Sequence, residues 1–409
     1  MQSLQPRHIT LDAMRGFAVM GILAMNIIGF AMPEWAYVTP KAYSGESLSD
    51  QLAWFFSAVF IDGKMRGLFS LLFGASMMLI IERAEAKGES AKRVHYTRMF
   101  WLALFGLGHF FFIWFGDILF LYACIGCLAF LFRDWEQRRL IKWALAIYAL
   151  GVVFWGLQFG GLQILQYFAT MPGADEELAK QFREVMASPD FAMNIENELA
   201  LHRGPWWPIV ADKLAEWYAP LTLLLQSITE TLPLMMIGMA MKKNAFITGA
   251  WNRSDYARWV NRLVPAGLLL TLLLATWVAA TGYDLITSLA VFLAWGAIPR
   301  LMLTIGYAAL LIMVVERLAG TPVITRVAAA GQAAFTNYLG TSIIMTTIFY
   351  GYGLGLYGFV SRVEVWFFVV GAWAVMLLWS KPWLASFRYG PLEWLWRSLA
   401  RMKIQPMRA

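Results

Sequence analysis

Ionisable side chains interrupt several long apolar stretches of the 409-residue chain. Asp12 and Arg15 stand at the start of the first stretch, His109 and Glu230 stand within later ones, and Asp117 follows directly after the His109 stretch. A charged group in hydrocarbon is costly, so each of these residues is a candidate for a functional site.

His109 is the strongest candidate for acid–base chemistry, because an imidazole exchanges a proton near neutral pH. Asp117 lies on the same helix face but about 12 Å further along a straight helix. We expect Asp117 to orient His109 only if the chain folds back at Gly116; otherwise the two side chains line one cavity. The structural alternative is a buried neutral histidine bonded to a backbone carbonyl or to a neighbouring helix.

Asp12 and Arg15 are spaced to pair on one face of a helix. Such a pair neutralises its own charge, or else Arg15 faces inward and holds an anionic substrate. Asn26 lies near the far end of the same helix, about 24 Å from Thr10. An amide buried among apolar residues needs a hydrogen-bond partner there.

Arg66 and Glu230 are candidates for substrate contacts. Arg66 places positive charge on the side opposite to the basic loops, where it could clamp a carboxylate or phosphate. Glu230 is interpreted as a protonated hydrogen-bonding group, a proton relay or a substrate contact, and we expect it to lie apart from the other polar residues. Gly67 and Gly74 are expected to be helix-packing contacts.

The composition indicates a membrane protein that crosses the bilayer many times, since 60% of the residues are hydrophobic and only 14% are charged. The net charge of +7 comes from basic residues in short connecting loops, which argues against nucleic-acid binding. Cys124 and Cys127 form a C-x-x-C pair, but no second pair of ligands follows, and we expect no metal.

Apolar segments long enough to cross a bilayer predict an all-α fold with about ten transmembrane helices. Two shorter stretches, 52–61 and 286–298, would raise the count to 12 if they also cross. The ten predicted segments are 10–30, 67–83, 98–115, 118–132, 140–160, 220–241, 260–281, 299–317, 330–350 and 365–383.

The basic loops predict the orientation, because loops rich in Lys and Arg face the cytoplasm. Both termini are then cytoplasmic. The basic residues fall in three loops and in the C-terminal tail: Arg83, Lys87, Lys92, Arg93 and Arg98; Arg133, Arg138, Arg139 and Lys142; Lys242, Lys243, Arg253, Arg258 and Arg262; and Arg388, Arg397, Arg401, Lys403 and Arg408.

Four regions follow from these patterns. Residues 1–160 form an N-terminal helical bundle that carries the polar motifs, and 161–219 form a partly helical extracytoplasmic connector with acidic residues and a Trp206-Trp207 pair. Residues 220–400 form a second helical bundle, and 401–409 form a basic tail.

Five motifs together resemble the bacterial YeiB-like family, also called DUF418. They are LDAMRG at 11–16, LFSLLFG at 68–74, GDILFLYA at 116–123, TNYL at 336–339 and GPLEWLWR at 390–397. The resemblance implies a multi-pass protein of the bacterial cytoplasmic (inner) membrane, and it adds Tyr122 and Asn337 to the candidate substrate contacts.

The family is in turn similar to transmembrane acyltransferases such as heparan-alpha-glucosaminide N-acetyltransferase. Asp12, Arg15 and Gly16 match the Asp-x-x-Arg-Gly of those enzymes, and Asn26 matches an Asn at the outer end of their first helix. Their catalytic His follows that Asn, whereas residues 27–40 of this chain contain none. The resemblance therefore implies that His109 fills the role from another helix, or that the chemistry differs.

The leading hypothesis is an acyltransferase that uses acetyl-CoA or another acyl-CoA, with His109 as general base on a hydroxyl or amine acceptor. In that reading Arg15 binds the donor's phosphate or pantetheine, and Asn26 stabilises an oxyanion. The acceptor is a small molecule, a glycan or a lipid-linked compound. The alternative is a transporter or flippase in which Asp12, Arg15, His109 and Glu230 form a polar or proton path. A membrane scaffold that binds lipid is a third reading, and a homodimer is compatible with all three.

Overall fold

The computed structural model describes residues 6–188, 191 and 193–408, and no β-strand is present in these ranges. The all-helical prediction is therefore confirmed. The helices of the described ranges are α1 Pro6–Ala31, α2 Trp35–Val38, α3 Leu48–Phe60, α4 Lys64–Glu85, α5 Ala91–Phe112, α6 Leu119–Ala129, α7 Gln137–Thr170, α8 Glu176–Met186, α9 Ile195–His202, α10 Trp206–Ala215, α11 Ala219–Lys243, α12 Arg253–Ala280, α13 Leu285–Ala290, α14 Ala297–Arg317, α15 Pro322–Gln332, α16 Ala334–Phe349, α17 Val365–Ser386 and α18 Pro391–Ala400.

Seven helical segments in the described part of the chain are long and apolar enough to cross a membrane. Every one of the ten predicted segments falls on a helix, but the number of crossings and the side of the termini stay predictions. The seven are Ile9–Ala31, Leu48–Glu85, Gln137–Thr170, Ala219–Lys243, Arg253–Ala280, Ala297–Arg317 and Val365–Ser386.

The two short apolar stretches are both helical. The first is α3, which joins α4 in one long apolar segment. The second comprises α13, a π-helical turn at Val291–Trp295 and the start of α14. A π-helical turn shifts the hydrogen-bond pattern and re-aims the carbonyls next to it.

Two helices depart from the predicted bounds. Helix α7 continues past residue 161 to Thr170, and the described part of 161–219 also contains α8, α9 and α10. That 161–219 is an extracytoplasmic connector stays a prediction. The predicted segment 330–350 is two helices that meet at Ala333, which has φ −102° and ψ 30°. The Asn337 amide donates to the Ala330 carbonyl at 2.9 Å and so satisfies a group that the break leaves without its helical partner.

Two large hydrophobic clusters hold the helices together. One contains buried side chains of α4, α6, α11 and α14, and the other contains those of α1, α5, α16 and α17. Each cluster draws residues from both predicted bundles, so 1–160 and 220–400 share their cores.

Helices α4 and α11 cross at reciprocal glycines. A Cβ on Gly74 would overlap the Met235 carbonyl, and a Cβ on Gly238 would overlap the Leu71 carbonyl. Small residues at a helix crossing let two backbones approach closely. The prediction that Gly74 is a packing contact is confirmed, and Gly67 packs against a side chain, that of Thr304.

Replacing Gly238 by Ala is expected to destabilise the protein by about 1–3 kcal/mol, because the added methyl group meets backbone that cannot move aside as a side chain does. Thermal unfolding of the detergent-solubilised protein measures the effect. The matched control is Gly371→Ala in α17, where nothing lies within 4 Å of the added Cβ. Equal melting temperatures for the two variants would contradict the reciprocal crossing.

Candidate functional site

His109 and Asp117 form a hydrogen-bonded dyad. Helix α5 ends at Phe112, the chain turns back over residues 113–118, and Asp117 Oδ1 lies 2.8 Å from His109 Nδ1. Asp117 Oδ2 also accepts the backbone N–H of Phe120 at 2.8 Å and so holds the first turn of α6. The condition under which we expected Asp117 to orient His109 is met, since the turn removes the separation that a straight helix would impose.

The dyad leaves one ring nitrogen of His109 without a partner. Both side chains are almost completely buried, and His109 Nε2 has no hydrogen bond. When Nδ1 carries the hydrogen that Asp117 accepts, the lone pair of the imidazole is on Nε2. This is the arrangement of a general base whose tautomer is fixed by a carboxylate.

Tyr338 lies on the other side of the dyad. Its ring centroid is 5.3 Å from that of His109, and its hydroxyl accepts the N–H of Ile118 at 3.3 Å. The same hydroxyl donates to the Gly116 carbonyl at 3.4 Å. Helix α16 therefore fixes the turn that brings Asp117 to His109.

Trp114 connects the dyad to the end of α1. It stacks on Phe30 with ring centroids 3.9 Å apart and donates to the Gly29 carbonyl at 3.2 Å. Asn26 is buried one turn earlier on α1, but the structure shows no hydrogen bond between it and His109 in the described residues. The expected oxyanion role of Asn26 stays a prediction.

An aromatic cavity adjoins the dyad at this end of the molecule. Its walls include Phe110, Trp114 and Phe115 from the α5 turn, and Trp206 and Lys213 from α10. The Lys213 ammonium lies 4.8 Å from the centroid of the Phe115 ring. His109 does not line this cavity, but its ring lies 6.3 Å from that of Trp114, which does, and Lys213 gives the cavity a cationic group.

At the other end of α1, Asp12 and Arg15 form the predicted pair. The distance between Arg15 Nη1 and Asp12 Oδ1 is 2.9 Å, and Arg15 Nη2 donates to Ser76 Oγ at 2.7 Å. Position 16 requires a glycine because α15 crosses α1 here: a Cβ at this position would overlap the Val327 carbonyl.

Arginines from three helices gather at this end, and we call Arg15, Arg98, Arg397 and Arg401 the arginine group. The Arg98 guanidinium stacks on Trp396 at 4.0 Å, and the Trp396 indole donates to the Arg98 carbonyl at 3.0 Å. Burial lowers the pKa of Arg397, and the nearby guanidinium groups of Arg15 and Arg401 lower it further.

The sequence marked the C-terminal arginines only as an orientation signal. Their gathering with Arg15 depends on α18 packing against α5, which no local pattern predicts. The GPLEWLWR motif contained the clue, since its Trp396 and Arg397 both take part.

Arg66, Glu230 and Arg300 form a third polar group, the Arg–Glu–Arg cluster. Arg66 Nη2 lies 2.7 Å from Glu230 Oε2, and Arg300 Nη1 lies 3.1 and 3.0 Å from the two Glu230 oxygens. The expectation that Glu230 stands apart from the other polar residues is wrong, because α4 and α11 cross and bring Arg66 to it. Sequence reasoning also missed Arg300, which follows the apolar stretch whose status was open.

Tyr122 and Asn337 make their contacts within the protein. The Tyr122 hydroxyl lies 2.7 Å from Ser70 Oγ and donates to the Arg66 carbonyl at 3.2 Å. Asn337 donates to Ser380 Oγ at 3.2 Å and accepts the Trp379 indole N–H at 2.8 Å. These bonds give both residues a role in joining helices.

Another buried histidine lies in the connector. The Nδ1–H of His202 donates to the Glu198 carbonyl at 2.9 Å, and the His202 ring stacks on Tyr357 with centroids 4.6 Å apart. Its Nε2 has no partner. The pKa of His202 is lowered to about 4, chiefly by burial; the bond to the Glu198 carbonyl opposes this shift and the positive charge of Lys213 adds to it.

Comparisons with known proteins agree on one family of uncharacterised proteins. The profile of a family described as "Protein of unknown function (DUF418)" matches residues 240–403. The uncharacterized protein YxaH of Bacillus subtilis is 32% identical over 100% of this chain and 98% of its own length. The uncharacterized protein YeiB of Escherichia coli is 29% identical over 96% of each chain. No solved structure matches the chain.

The low pKa of His202 predicts a loss of stability in acid. The unfolded state takes up a proton near pH 6.5 but the folded state only near pH 4, so stability falls between these values by about 3 kcal/mol. Hydrogen exchange of the α9 amides across this pH range measures the loss. His202→Phe keeps the stacking and removes the titration, so its α9 should lose about 3 kcal/mol less; an identical pH dependence in both proteins would contradict the assignment.

Proposed function

The chain belongs to the YeiB-like DUF418 family, and from that premise we propose that it is a membrane-embedded acyltransferase. It transfers an acyl group, acetyl in the simplest case, from an acyl-CoA to a hydroxyl or amine acceptor. The observation that carries the proposal is the buried His109–Asp117 dyad with His109 Nε2 unpaired.

The dyad can perform both proton transfers of the reaction. His109 Nε2 removes the proton from the acceptor as its oxygen or nitrogen attacks the thioester carbonyl. The new C–O or C–N bond forms, the C–S bond breaks, and the imidazolium returns its proton to the departing CoA thiolate. Asp117 stabilises the imidazolium while it carries the proton.

The arginine group supplies a site for the phosphates of the donor. Guanidinium groups bind phosphate through paired N–H donors, and Arg98 and Arg397 lie on aromatic rings that hold them in place. By the positive-inside bias this end of the molecule faces the cytoplasm, where acyl-CoA is available, and the membrane is the cytoplasmic membrane of a bacterium.

The distance between the arginine group and His109 fits the extended form of an acyl-CoA. Arg98 and His109 stand on the same helix, about 16 Å apart along its axis. Arg15 and Asn26 have the same separation on α1. When a phosphate of the donor binds at the arginine group, its extended pantetheine arm points toward His109 with the thioester at the end.

The aromatic cavity is the proposed entry for the acceptor. It lies at the end of the molecule remote from the arginine group, and its wall includes Trp114, whose ring lies 6.3 Å from that of His109 and stacks on Phe30 of α1. Asn26 is in the right part of α1 to donate to the oxyanion, as the resemblance to the acyltransferases implies.

The test is transfer or hydrolysis of radiolabelled acetyl-CoA by the purified protein in proteoliposomes. His109→Gln is expected to lower kcat by about 10²-fold or more, because the general base is lost. Asp117→Asn should also lower kcat, since its amide favours the wrong tautomer of His109.

His95→Gln is the matched control for these two variants. His95 is equally buried, but it bonds the Gly126 carbonyl and stacks on Phe130, away from the dyad. Its kcat should equal that of the unchanged protein. Turnover of acetyl-CoA that survives His109→Gln would rule out the proposed base.

The donor site makes a separate prediction. Arg98→Gln and Arg397→Gln are each expected to raise the KM for acetyl-CoA about tenfold with kcat unchanged, because a charged hydrogen bond to phosphate is lost. Steady-state kinetics measure both constants. The control is Arg139→Gln, an arginine stacked on Trp135 in another basic loop; an equal rise in its KM would mean that overall charge, not the arginine group, attracts the donor.

A further inference from the structure

The Arg–Glu–Arg cluster has more positive than negative charge. Two guanidinium groups, of Arg66 and Arg300, share the single carboxylate of Glu230. Asp62 and Lys64 interact electrostatically with Arg300 and add one charge of each sign. The excess positive charge remains, in a region where an unpaired charge is costly.

The hydrogen bonds of the cluster are incomplete on one side. Arg300 Nη2 donates to the carbonyl of Phe292, a residue of the π-helical turn. Within the described residues, the guanidinium of Arg66 makes hydrogen bonds through Nη2 only. The guanidinium of Arg66 therefore keeps donors for a further acceptor.

A buried hydroxyl nearby also has no partner. Thr304 lies one turn after Arg300 on α14, and its Oγ1 is buried without a hydrogen bond. The same atom lies against the position where Gly67, the residue after Arg66, would carry a Cβ. The unpaired Thr304 hydroxyl thus lies close to the helix positions that carry the two arginines.

The cluster is accessible from outside the protein. The side chains of Arg66 and Glu230 are 24% and 18% exposed, whereas that of Arg300 is 9% exposed. Arg300 and Glu230 form the inner part of the cluster, and Arg66 is its outer part. A ligand would meet Arg66 first.

We propose that the Arg–Glu–Arg cluster is an anion-binding site, separate from the His109 dyad, that takes a phosphate or carboxylate group. Arg66 and Arg300 bind the anion, and Glu230 is an internal competitor that holds the two arginines when no ligand is bound. The anionic group belongs either to a free small anion or to a lipid headgroup. The site does not depend on acyl transfer and stands if that activity is absent.

The test measures binding of radiolabelled inorganic phosphate to the protein in lipid nanodiscs, at constant ionic strength. Arg66→Gln should weaken binding about tenfold, because it removes a charged donor but leaves the Arg300–Glu230 pair intact. Glu230→Gln should strengthen binding about tenfold, because it removes the competing carboxylate from both arginines.

The opposite signs distinguish a binding site from a purely structural ion pair. A structural pair predicts that neither variant changes phosphate binding, or that both weaken it, and either result overturns the proposal. Arg66→Lys keeps the charge but loses the paired donors, so its affinity should lie between those of the unchanged protein and Arg66→Gln. Failure of the unchanged protein to bind phosphate would also overturn it.

Two further arms identify the source of the anion and control for charge. Discs with phosphatidylglycerol should weaken phosphate binding relative to phosphatidylcholine discs if a lipid headgroup occupies the site. Equal binding in both discs assigns the site to a free anion. Arg183→Gln, in the exposed Arg183–Glu176 pair of α8, removes a charge elsewhere and should leave binding unchanged; the same loss as in Arg66→Gln would overturn the assignment to this cluster.

Discussion

The bond between Asp117 and His109 depends on a carboxylate being held inside an apolar helical core. A buried carboxylate is tolerated only when hydrogen bonds or charges satisfy its oxygens. Asp117 meets this condition with one oxygen on the imidazole and the other on the backbone of α6. The same carboxylate therefore connects a side chain in the last turn of α5 to the backbone of the first turn of α6, so the turn and the orientation of His109 cannot be separated.

The same physical requirement joins helices elsewhere. Glu393 of α18 is buried, and it accepts the backbone N–H groups of Phe335 and Thr336 as well as the Thr336 hydroxyl at 2.6 Å. These bonds hold the start of α16, the helix that carries Tyr338 to the dyad. α18 thus takes part in both ends of the proposed site: its Glu393 supports the helix beside His109, and its Arg397 belongs to the arginine group.

What the sequence could predict depended on how far apart the interacting residues are along the chain. The Asp12–Arg15 pair was predictable because helix geometry alone brings the two side chains together. The His109–Asp117 bond could only be stated conditionally, since it depends on where α5 stops. The pairing of Arg66 with Glu230 spans 164 positions and depends on the α4–α11 crossing, which a pattern of apolar residues does not specify. The helices themselves could be predicted from the lengths of the apolar segments, but the break at Ala333 could not. The Asn337 amide, which bonds the carbonyl left free by the break, was interpreted as a ligand-binding group.

The parallel course of α1 and α5 gives the proposed site its direction. Arg15 of α1 lies near Arg397 of α18, and Arg98 of α5 contacts Trp396 of α18, so both helices pass close to α18 at these arginines. At their other ends, Trp114 after α5 bonds the Gly29 carbonyl of α1. The separation between Arg98 and His109 is fixed by α5, on which both residues stand, and the Trp114–Gly29 bond holds the His109 end of α5 against α1. In the proposed reaction, a donor that binds at the arginine group and reacts at His109 must match that separation, so the proposal implies that donor length, more than the chemistry of the acyl group, decides which molecules fit.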